Sequence, residues 1–252
     1  MELIRGSNGV SVVLPHGGLL PLTYIVGIGR NYADHAAERG AAVPERPLVF
    51  TKSPSALCLD GDEIVIPEAC LDEATGGRQT DYEAELAVII GRNAKDVAED
   101  DALGYVAGYA CANDVSARWW QKDGAGGQFC RGKSFDTFCP IGPRVVSAEL
   151  LPDASDLRIT CRINGEVMQD ASTAEMIFSV PELIAELSRG ATLPAGTVIL
   201  TGTPAGVGAA RTPPRWLAEG DEVEVEIESV GLLRNRVRET AAAAVGEEVC
   251  VG

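Results

Sequence analysis

The stretch Asp81-Tyr-Glu-Ala-Glu-Leu-Ala-Val-Ile-Ile90 decides the fold, because alternating acids run directly into a β-branched apolar segment. Its Val and Ile residues predict a strand over residues 82–90. Residues two apart share one face of a strand, so Asp81, Glu83 and Glu85 point the same way. Like charges about 6 Å apart repel by roughly 3 kcal/mol at an effective dielectric of about 20. A half-buried strand therefore needs a cation or a proton at these acids, whereas a solvated edge strand needs neither.

The rest of the chain predicts more strands than helices. Helices are predicted over residues 31–40 and 99–110 and, most clearly, over 180–189, where Ser179 and Glu182 form a capping-box pattern. The order is irregular, which favours a β-rich α+β fold over a doubly wound sheet. With 252 residues, we expect a short N-terminal element over 1–21 and one main catalytic domain over 22–252. Further strands are predicted over residues 9–14, 22–28, 63–66, 157–163, 196–201 and 222–228.

Composition excludes several classes of partner. The chain has 21 Lys and Arg against 37 Asp and Glu, a net charge of −16, so we expect neither nucleic-acid nor membrane-surface binding. The seven cysteines contain no C-x-x-C pair, and we interpret them as small buried residues without an assigned role. The N-terminus has no apolar signal core, and no apolar run approaches the roughly 20 residues of a membrane span. These features predict a reduced, cytoplasmic protein.

Three glycine motifs are weak signals of function. Residues 127–134 match the phosphate-binding pattern G-x-x-x-x-G-K-[ST], but no apolar strand precedes them, and prolines follow. Residues 27–32 begin like a dinucleotide fingerprint but lack its third glycine, which favours a strand-to-helix turn. Residues 201–208 follow a strand, where their amides form either an anion cradle or a plain glycine-rich turn.

Two groups of residues carry the chemistry. Asp114 lies in the apolar run 110–116, where it is either a turn former or a metal ligand. Together with Glu83 and Glu85 it offers the hard carboxylate oxygens that Mg²⁺ and Mn²⁺ prefer. His35 and Glu38, three residues apart, share a helix face. They form either a surface contact or a general base whose imidazole is oriented by a carboxylate.

Together these segments resemble the fumarylacetoacetate hydrolase superfamily over residues 24–237. The resemblance rests on six ordered stretches, and residues 70–80 depart from it, either at the pocket mouth or, as we favour, in a surface loop. The stretches are Gly27-Ile-Gly-Arg-Asn-Tyr-Ala-Asp-His-Ala-Ala-Glu38, Phe50-Thr-Lys-Ser-Pro-Ser-Ala-Leu57, Asp81-Tyr-Glu-Ala-Glu-Leu86, Asn113-Asp-Val-Ser-Ala-Arg-Trp-Trp-Gln121, Gly132-Lys-Ser-Phe-Asp-Thr-Phe-Cys-Pro-Ile-Gly-Pro143 and Thr201-Gly-Thr-Pro-Ala-Gly-Val-Gly208.

The resemblance implies a mixed β-sandwich roll with a few short helices, assembled as a homodimer. It implies Mg²⁺ or Mn²⁺ at Glu83, Glu85 and Asp114. It also assigns roles toward a small anionic 2-oxo acid. The implied catalytic residues are His35, Glu38, Lys133 and Gln121, and the implied substrate-binding residues are Arg30, Lys52, Arg118 and Thr203.

The leading functional hypothesis is metal-dependent hydrolysis of a C–C bond in an acylpyruvate-like 2,4-dioxo acid, in aromatic catabolism. The first alternative keeps the same site for decarboxylation of an oxaloacetate-like acid, or for an isomerase, hydratase or lyase reaction of a related 2-oxo acid, because fold does not choose among them. A catalytically silent scaffold and a P-loop nucleotidase are the alternatives from other classes.

Overall fold

The computed structural model describes residues 1–7, 9–38 and 40–240. Four α-helices lie in this part of the chain: α1 (Ala33–Glu38), α2 (Arg118–Gln121), α3 (Phe129–Lys133) and α4 (Val180–Ser188). Short 3-10 turns cover Pro54–Ala56, Glu68–Cys70, Glu73–Thr75, Glu99–Tyr105, Asp123–Ala125, Thr173–Glu175 and Gly208–Ala210. The strands are β1 (Leu3–Gly6), β2 (Gly9–Val13), β3 (Leu19–Pro21), β4 (Tyr24–Gly29), β5 (Leu48–Lys52), β6 (Leu57–Leu59), β7 (Glu63–Ile66), β8 (Thr80–Asp81), β9 (Ala84–Ile90), β10 (Val106–Asn113), β11 (Ser116–Ala117), β12 (Cys139–Ser147), β13 (Arg158–Ile163), β14 (Glu166–Ser172), β15 (Thr197–Leu200), β16 (Glu222–Ile227) and β17 (Gly231–Glu239).

Two large sheets form the body of the fold. One has seven strands in the order β5-β4-β15-β9-β10-β12-β6, and the other has five in the order β14-β13-β16-β17-β7. Both are mixed, because β4 and β15, β6 and β12, and β7 and β17 pair in parallel while their other neighbours are antiparallel. The predicted β-rich α+β class is therefore confirmed.

Strand β9 lies at the centre of the seven-stranded sheet and is buried along its whole length. Leu86, Val88 and Ile90 pack into the core shared with the five-stranded sheet. Ala87 and Ile89 face the opposite way, into a second core that includes residues of the N-terminal sheet β1-β2-β3. A strand buried on both faces needs an apolar side chain at nearly every position, which is why β9 reads as a continuous run.

The N-terminal sheet β1-β2-β3 spans residues 3–21. It packs on one face of the seven-stranded sheet through Leu3, Val12 and Leu20. The domain boundary after residue 21 stays a prediction. None of the helices in the described ranges is long and apolar enough to cross a membrane.

The predicted strand over 82–90 is interrupted at Tyr82 and Glu83, between β8 and β9. The Tyr82 amide donates to its neighbour Asp81 Oδ1, and the Glu83 amide donates to Asn113 Oδ1. Because side chains accept these two hydrogen bonds, no strand ladder forms there. The alternation nevertheless persists, since Tyr82 and Ala84 lie in the core shared by the two large sheets.

The predicted helix over 99–110 is wrong in its second half. Residues Glu99–Tyr105 form a 3-10 helix, but the following apolar residues form β10, which pairs with β9 on one side and β12 on the other. A short apolar run does not distinguish a buried helix from a buried strand by periodicity. Gly108 permits this pairing, because a Cβ there would lie 2.2 Å from the Val146 carbonyl oxygen.

The other predictions fall close to the observed elements. The strand over 63–66 matches β7, and helix α4 begins after Ser179 with the capping box formed. The predicted helix over 31–40 is shorter, as α1. Of the cysteines, Cys58, Cys70, Cys111, Cys139 and Cys161 are buried as predicted, but Cys130 is exposed, so the prediction is wrong there. Cys250 lies outside the described residues.

Candidate active site

Three buried carboxylates meet where β9 and β10 lie side by side. Glu85 is in β9, Glu83 lies just before it, and Asp114 follows the end of β10. The register pairs Ala112 with Glu85, and the Asp114 amide donates to the Glu83 carbonyl oxygen at 2.8 Å. One ligand atom from each of the three side chains lies within 4.8 Å of the others. We call Glu83, Glu85 and Asp114 the acid cluster.

Two cations from the short helices α2 and α3 pack directly against the acid cluster. Lys133, in the last turn of α3, lies 2.8 Å from Glu83 Oε2 and 2.9 Å from Ser116 Oγ, and it also contacts Asp114 Oδ2. Arg118, at the start of α2, lies 2.7 Å from Glu83 Oε1 and 2.8 Å from Asp81 Oδ2. These contacts also argue against the phosphate-loop interpretation of residues 127–134, because the Lys133 ammonium group is bound to the chain's own carboxylates.

Lys52 holds Asp114 from the other side. Its Nζ lies 2.5 Å from Asp114 Oδ1, 3.2 Å from the Val115 carbonyl oxygen and 2.7 Å from the Phe138 carbonyl oxygen. An ammonium group has three N–H donors, so all of them are used. Lys52 is also absent from the pocket wall. We therefore correct the sequence-based expectation: Lys52 positions Asp114 and has no donor left for a substrate.

The acid cluster fits a divalent cation on its charge and its donor atoms. With Asp81 included, four carboxylates are paired with three cations, Lys52, Lys133 and Arg118, which leaves one negative charge unmatched. The unmatched carboxylate is Glu85, whose hydrogen-bond donor in the described structure is the Gly202 amide at 2.7 Å. Buried charge without a partner is costly, and hard carboxylate oxygens suit Mg²⁺ or Mn²⁺.

The pKa values of the two glutamates move in opposite directions. Burial raises the pKa of the Glu85 carboxyl, and the charges of Asp114 and Glu83 raise it further. At Glu83, burial acts in the same direction, but the positive charges of Lys133 and Arg118 outweigh it and lower the pKa. The missing positive charge is therefore on the Glu85 side of the acid cluster.

His35, which is buried, and Glu38, which is half-buried, form a pair on α1. His35 Nδ1 lies 2.7 Å from Glu38 Oε1, and Glu38 Oε2 accepts a hydrogen bond from the Gly206 amide at 2.9 Å. The carboxylate fixes the imidazole tautomer with its proton on Nδ1, which leaves the Nε2 lone pair available as a base. His35 lines the same pocket as Glu83 and Glu85, so the surface-contact alternative for this pair is wrong.

The glycine-rich loop over residues 201–208 binds the chain's own carboxylates. Besides the Gly202 and Gly206 contacts to Glu85 and Glu38, the amides of Gly208 and Ala209 donate to the two oxygens of Asp81 at 2.7 and 3.0 Å. Of the two sequence interpretations, the anion cradle is therefore correct, and its anions are acidic side chains of the site. Gly202 has φ +101°, and a Cβ there would lie 2.6 Å from Asn31 Cβ.

His35, Glu83, Glu85 and Lys133 line one small cavity of about 90 Å³. Gln121 also lines it, and its Oε1 accepts a hydrogen bond from Arg118 Nη1 at 3.0 Å, a contact that does not use the side-chain NH₂ group. Arg30 is exposed at the rim, with φ +58°. The cavity is lined by Ile28, Gly29, Arg30, His35, Phe50, Glu83, Glu85, Arg118, Gln121, Lys122, Phe129, Lys133 and Thr203.

The sequence analysis did not assign four residues that build the site. Asp81, Asn113 and Ser116 each bond a member of the acid cluster or one of its cations, and all three stand in the quoted motifs. Gln169 contacts the site from the other large sheet, and no local pattern marks it. The loop over 70–80 lies beside the site, where Gly76 packs against Trp119, and its Arg78 is paired with Glu239 on the surface.

The comparisons with known proteins agree with the fold. A family described as fumarylacetoacetate hydrolase C-terminal matches residues 24–238. The chain is 46% identical over 213 residues to a mitochondrial oxaloacetate tautomerase of Bos taurus, covering 84% of this chain and 66% of that protein. It is 45% identical over 219 residues to the oxaloacetate tautomerase YisK of Bacillus subtilis strain 168, covering 86% of this chain and 70% of that protein.

Two solved structures carry the same fold. A fumarylacetoacetate hydrolase from psychrophilic Exiguobacterium antarcticum matches with a TM-score of 0.78 and 43% identity, over 88% of this chain and 78% of that one. A 2-hydroxyhepta-2,4-diene-1,7-dioate isomerase from Mycobacterium marinum matches with a TM-score of 0.74 and 36% identity, over 89% and 79% of the two chains.

Proposed function

Since the chain belongs to the fumarylacetoacetate hydrolase family, we propose that it catalyses keto–enol tautomerisation of an oxaloacetate-like 2-oxo acid. The observation that carries the proposal is one cavity that joins an oriented base, His35, to Glu83 and Glu85 of the buried acid cluster. This combination supports proton transfer at the carbon next to a 2-oxo group. Within that reaction class, the names of the curated relatives favour tautomerisation.

The base follows from the hydrogen bonds of α1. His35 Nε2 removes a proton from the carbon beside the 2-oxo group, because Nδ1 is held protonated by Glu38, and the same proton is then delivered to the enolate oxygen to give the enol. Loss of the enol runs the same two transfers in reverse, from the enol hydroxyl to Nε2 and from Nε2 to the carbon. Gln121 donates from its NH₂ group to the oxygen on which negative charge develops. Lys133 adds a fixed positive charge at the cavity wall without giving up its proton, since its N–H groups bond Glu83, Asp114 and Ser116.

We propose that Glu83, Glu85 and Asp114 hold the cation, Mg²⁺ or Mn²⁺. When bound, such a cation supplies a Lewis acid for the carboxylate and carbonyl oxygens of the substrate. Arg30 and Arg118 remain proposed contacts to substrate carboxylates. Arg30 is the more accessible of the two, because Arg118 is already paired with Asp81 and Glu83.

The test uses purified protein with Mg²⁺ or Mn²⁺ and enol-oxaloacetate freshly dissolved from the dry solid. Ultraviolet absorbance follows loss of the enol, while coupled lactate dehydrogenase reports pyruvate in the same cuvette. We expect metal-dependent acceleration of enol loss without pyruvate. The variant His35→Gln is expected to lose most of this rate, whereas His16→Gln, at an exposed turn, retains it. Pyruvate release at the rate of enol loss would contradict the proposal and indicate a decarboxylase.

The second candidate is hydrolysis of a C–C bond in an acylpyruvate-like acid. It is favoured by the similarity to the solved hydrolase from Exiguobacterium antarcticum and by the oriented base, which would activate water equally well. It stands behind tautomerisation because the curated relatives are tautomerases. Incubation with acetylpyruvate and fumarylpyruvate, followed by detection of pyruvate together with the second acid, would place hydrolysis first.

A further inference from the structure

Gln169 joins two of the segments that build the cavity, the one around Ala84 and the one around Thr203, although it lies in β14 of the opposite sheet. Its Oε1 accepts from the Ala84 amide, between the two cluster glutamates, at 3.0 Å. Its Nε2 donates to Thr203 Oγ1 at 2.7 Å and to the Pro204 carbonyl oxygen at 2.9 Å. The side chain is 1% exposed. Strand β14 bulges beside it, and bulges commonly redirect a side chain toward a site.

The partners of the carboxamide determine its orientation. A backbone amide only donates and a carbonyl oxygen only accepts, so the oxygen faces Ala84 and the nitrogen faces Pro204. The same nitrogen reaches Thr203, whose hydroxyl must therefore accept this hydrogen bond. A hydroxyl has a single proton, and within residues 1–7, 9–38 and 40–240 the Thr203 proton has no acceptor.

Thr203 is 3% exposed and lines the same cavity as Glu85 and His35. We infer that Gln169 is a positioning residue that forces the Thr203 hydroxyl to donate its proton to an oxygen of the bound substrate. Gln169 does not itself line the cavity. The substrate atom at Thr203 must then be a hydrogen-bond acceptor, such as a carboxylate or carbonyl oxygen. The inference rests on the proposed function, because it requires a 2-oxo acid in this cavity.

The test is a double-mutant cycle on the metal-loaded protein. Gln169→Met keeps the volume but removes the donor, and Thr203→Val removes the hydroxyl. Each is expected to raise the KM for enol-oxaloacetate roughly tenfold, as for loss of a hydrogen bond to a charged acceptor, with kcat within about twofold. The double variant should match Thr203→Val alone, because Gln169 acts through that hydroxyl. Thr203→Ser should keep the wild-type KM.

Binding of oxalate, measured by calorimetry with Mg²⁺, separates this inference from the proposed function. Oxalate offers acceptor oxygens and undergoes no tautomerisation. If wild type binds oxalate and both single variants weaken it, while enol-oxaloacetate does not turn over, the inference stands and the tautomerase proposal fails. If turnover is present but the effects of the two substitutions multiply, or Gln169→Met leaves KM and oxalate affinity unchanged, the inference is wrong. Absence of oxalate binding in wild type would also overturn it.

Two further variants guard against a folding defect. Gln169→Glu keeps the size of the side chain and the acceptor for Ala84, but its carboxylate accepts rather than donates, so oxalate binding should again weaken. Asn235→Leu is the matched control, because Asn235 is another buried amide and donates to the Leu59 and Asp62 carbonyl oxygens, both at 2.9 Å, outside the cavity wall. It should lower the melting temperature without changing KM.

Discussion

At the scale of single residues, the site depends on which atom of each side chain carries a proton. Glu38 illustrates this, because its two oxygens each accept from a donor: the His35 imidazole and the Gly206 amide. Both contacts require an acceptor, and a carboxylate meets both at once. An amide does not, since one of its two polar atoms is an NH₂ group.

We therefore expect Glu38→Gln to reduce kcat by about 10²- to 10⁴-fold with little loss of stability. The Gly206 amide takes the new carbonyl oxygen, so the NH₂ group faces Nδ1 and moves the imidazole proton to Nε2. ¹⁵N NMR of the His35 ring reports the tautomer, and enol loss reports kcat. Glu45→Gln, at an exposed position, is the control. An unchanged tautomer with reduced kcat would contradict this explanation.

The buried ion pair of Lys52 with Asp114 should stabilise the fold. Lys52→Met leaves a face of the buried Asp114 carboxylate without its cation, which we expect to lower the free energy of unfolding by about 3–5 kcal/mol. Urea unfolding measures the change. The exposed pair Arg5–Asp62 is the comparison, since Arg5→Met should cost at most about 1 kcal/mol. A raised KM at unchanged stability would instead restore the substrate contact expected from the sequence.

At the scale of elements, sequence patterns located the regular pieces but not the places where side chains replace backbone partners. Strand β7 and helix α4 were predictable because alternation and a capping box are local signals. The break before β9 was not, since it depends on Asn113, thirty residues away, accepting the Glu83 amide. Gln169 was missed for the same reason, because its partners are 85 and 34 residues distant.

Asp221 joins two elements, because it links the turn after β13 to the start of β16. It accepts from Asn164 Nδ2 at 2.8 Å, from Arg215 Nη2 at 2.7 Å and from the Ala218 amide at 2.9 Å. Burial raises the pKa of its carboxyl, but these hydrogen bonds, with that of Arg215 foremost, lower it overall.

A lowered carboxyl pKa stabilises the fold above the unfolded pKa of about 4, and this contribution is lost as the pH falls through the folded value. Asp221→Asn should therefore be less stable than wild type at pH 7. The difference in the free energy of unfolding between wild type and this variant should shrink once the pH falls below about 4. Urea unfolding at both pH values is the measurement. The exposed Asp100→Asn should show no such convergence. An equal difference at both pH values would contradict the role of the charge.

At the scale of the whole molecule, folding brings more carboxylates than cations into the interior, and a bound cation should stabilise the entire fold. Mg²⁺ or Mn²⁺ at 100 times its Kd adds about 2.7 kcal/mol of stability. For a chain of this size, the melting temperature should rise by roughly 5–10 °C. Differential scanning calorimetry with the metal or with EDTA measures the rise.

Glu85→Gln should melt at a higher temperature than wild type in EDTA, because it removes the unmatched buried charge. Its melting temperature should also no longer rise when the metal is added. Asp153→Asn, outside the acid cluster, should keep the wild-type response. A metal-induced rise that survives Glu85→Gln would contradict the proposed ligand set.

The homodimer stays a prediction at this scale. Light scattering on the purified chain, with and without Mg²⁺, should give twice the mass of 26.5 kDa. A single-chain mass in both conditions would contradict it.

The glycine-rich loop over residues 201–208 has a practical consequence for redesign. Through Gly202, Gly206 and Gly208 it bonds Glu85, Glu38 and Asp81, so one short segment holds one proposed cation ligand, the carboxylate that orients the proposed base, and the anchor of Arg118. A directed-evolution library that randomises this loop would disturb all three carboxylates at once and yield mostly inactive variants. New substrate preferences should be sought at lining residues outside this loop, such as Arg30 and Phe129.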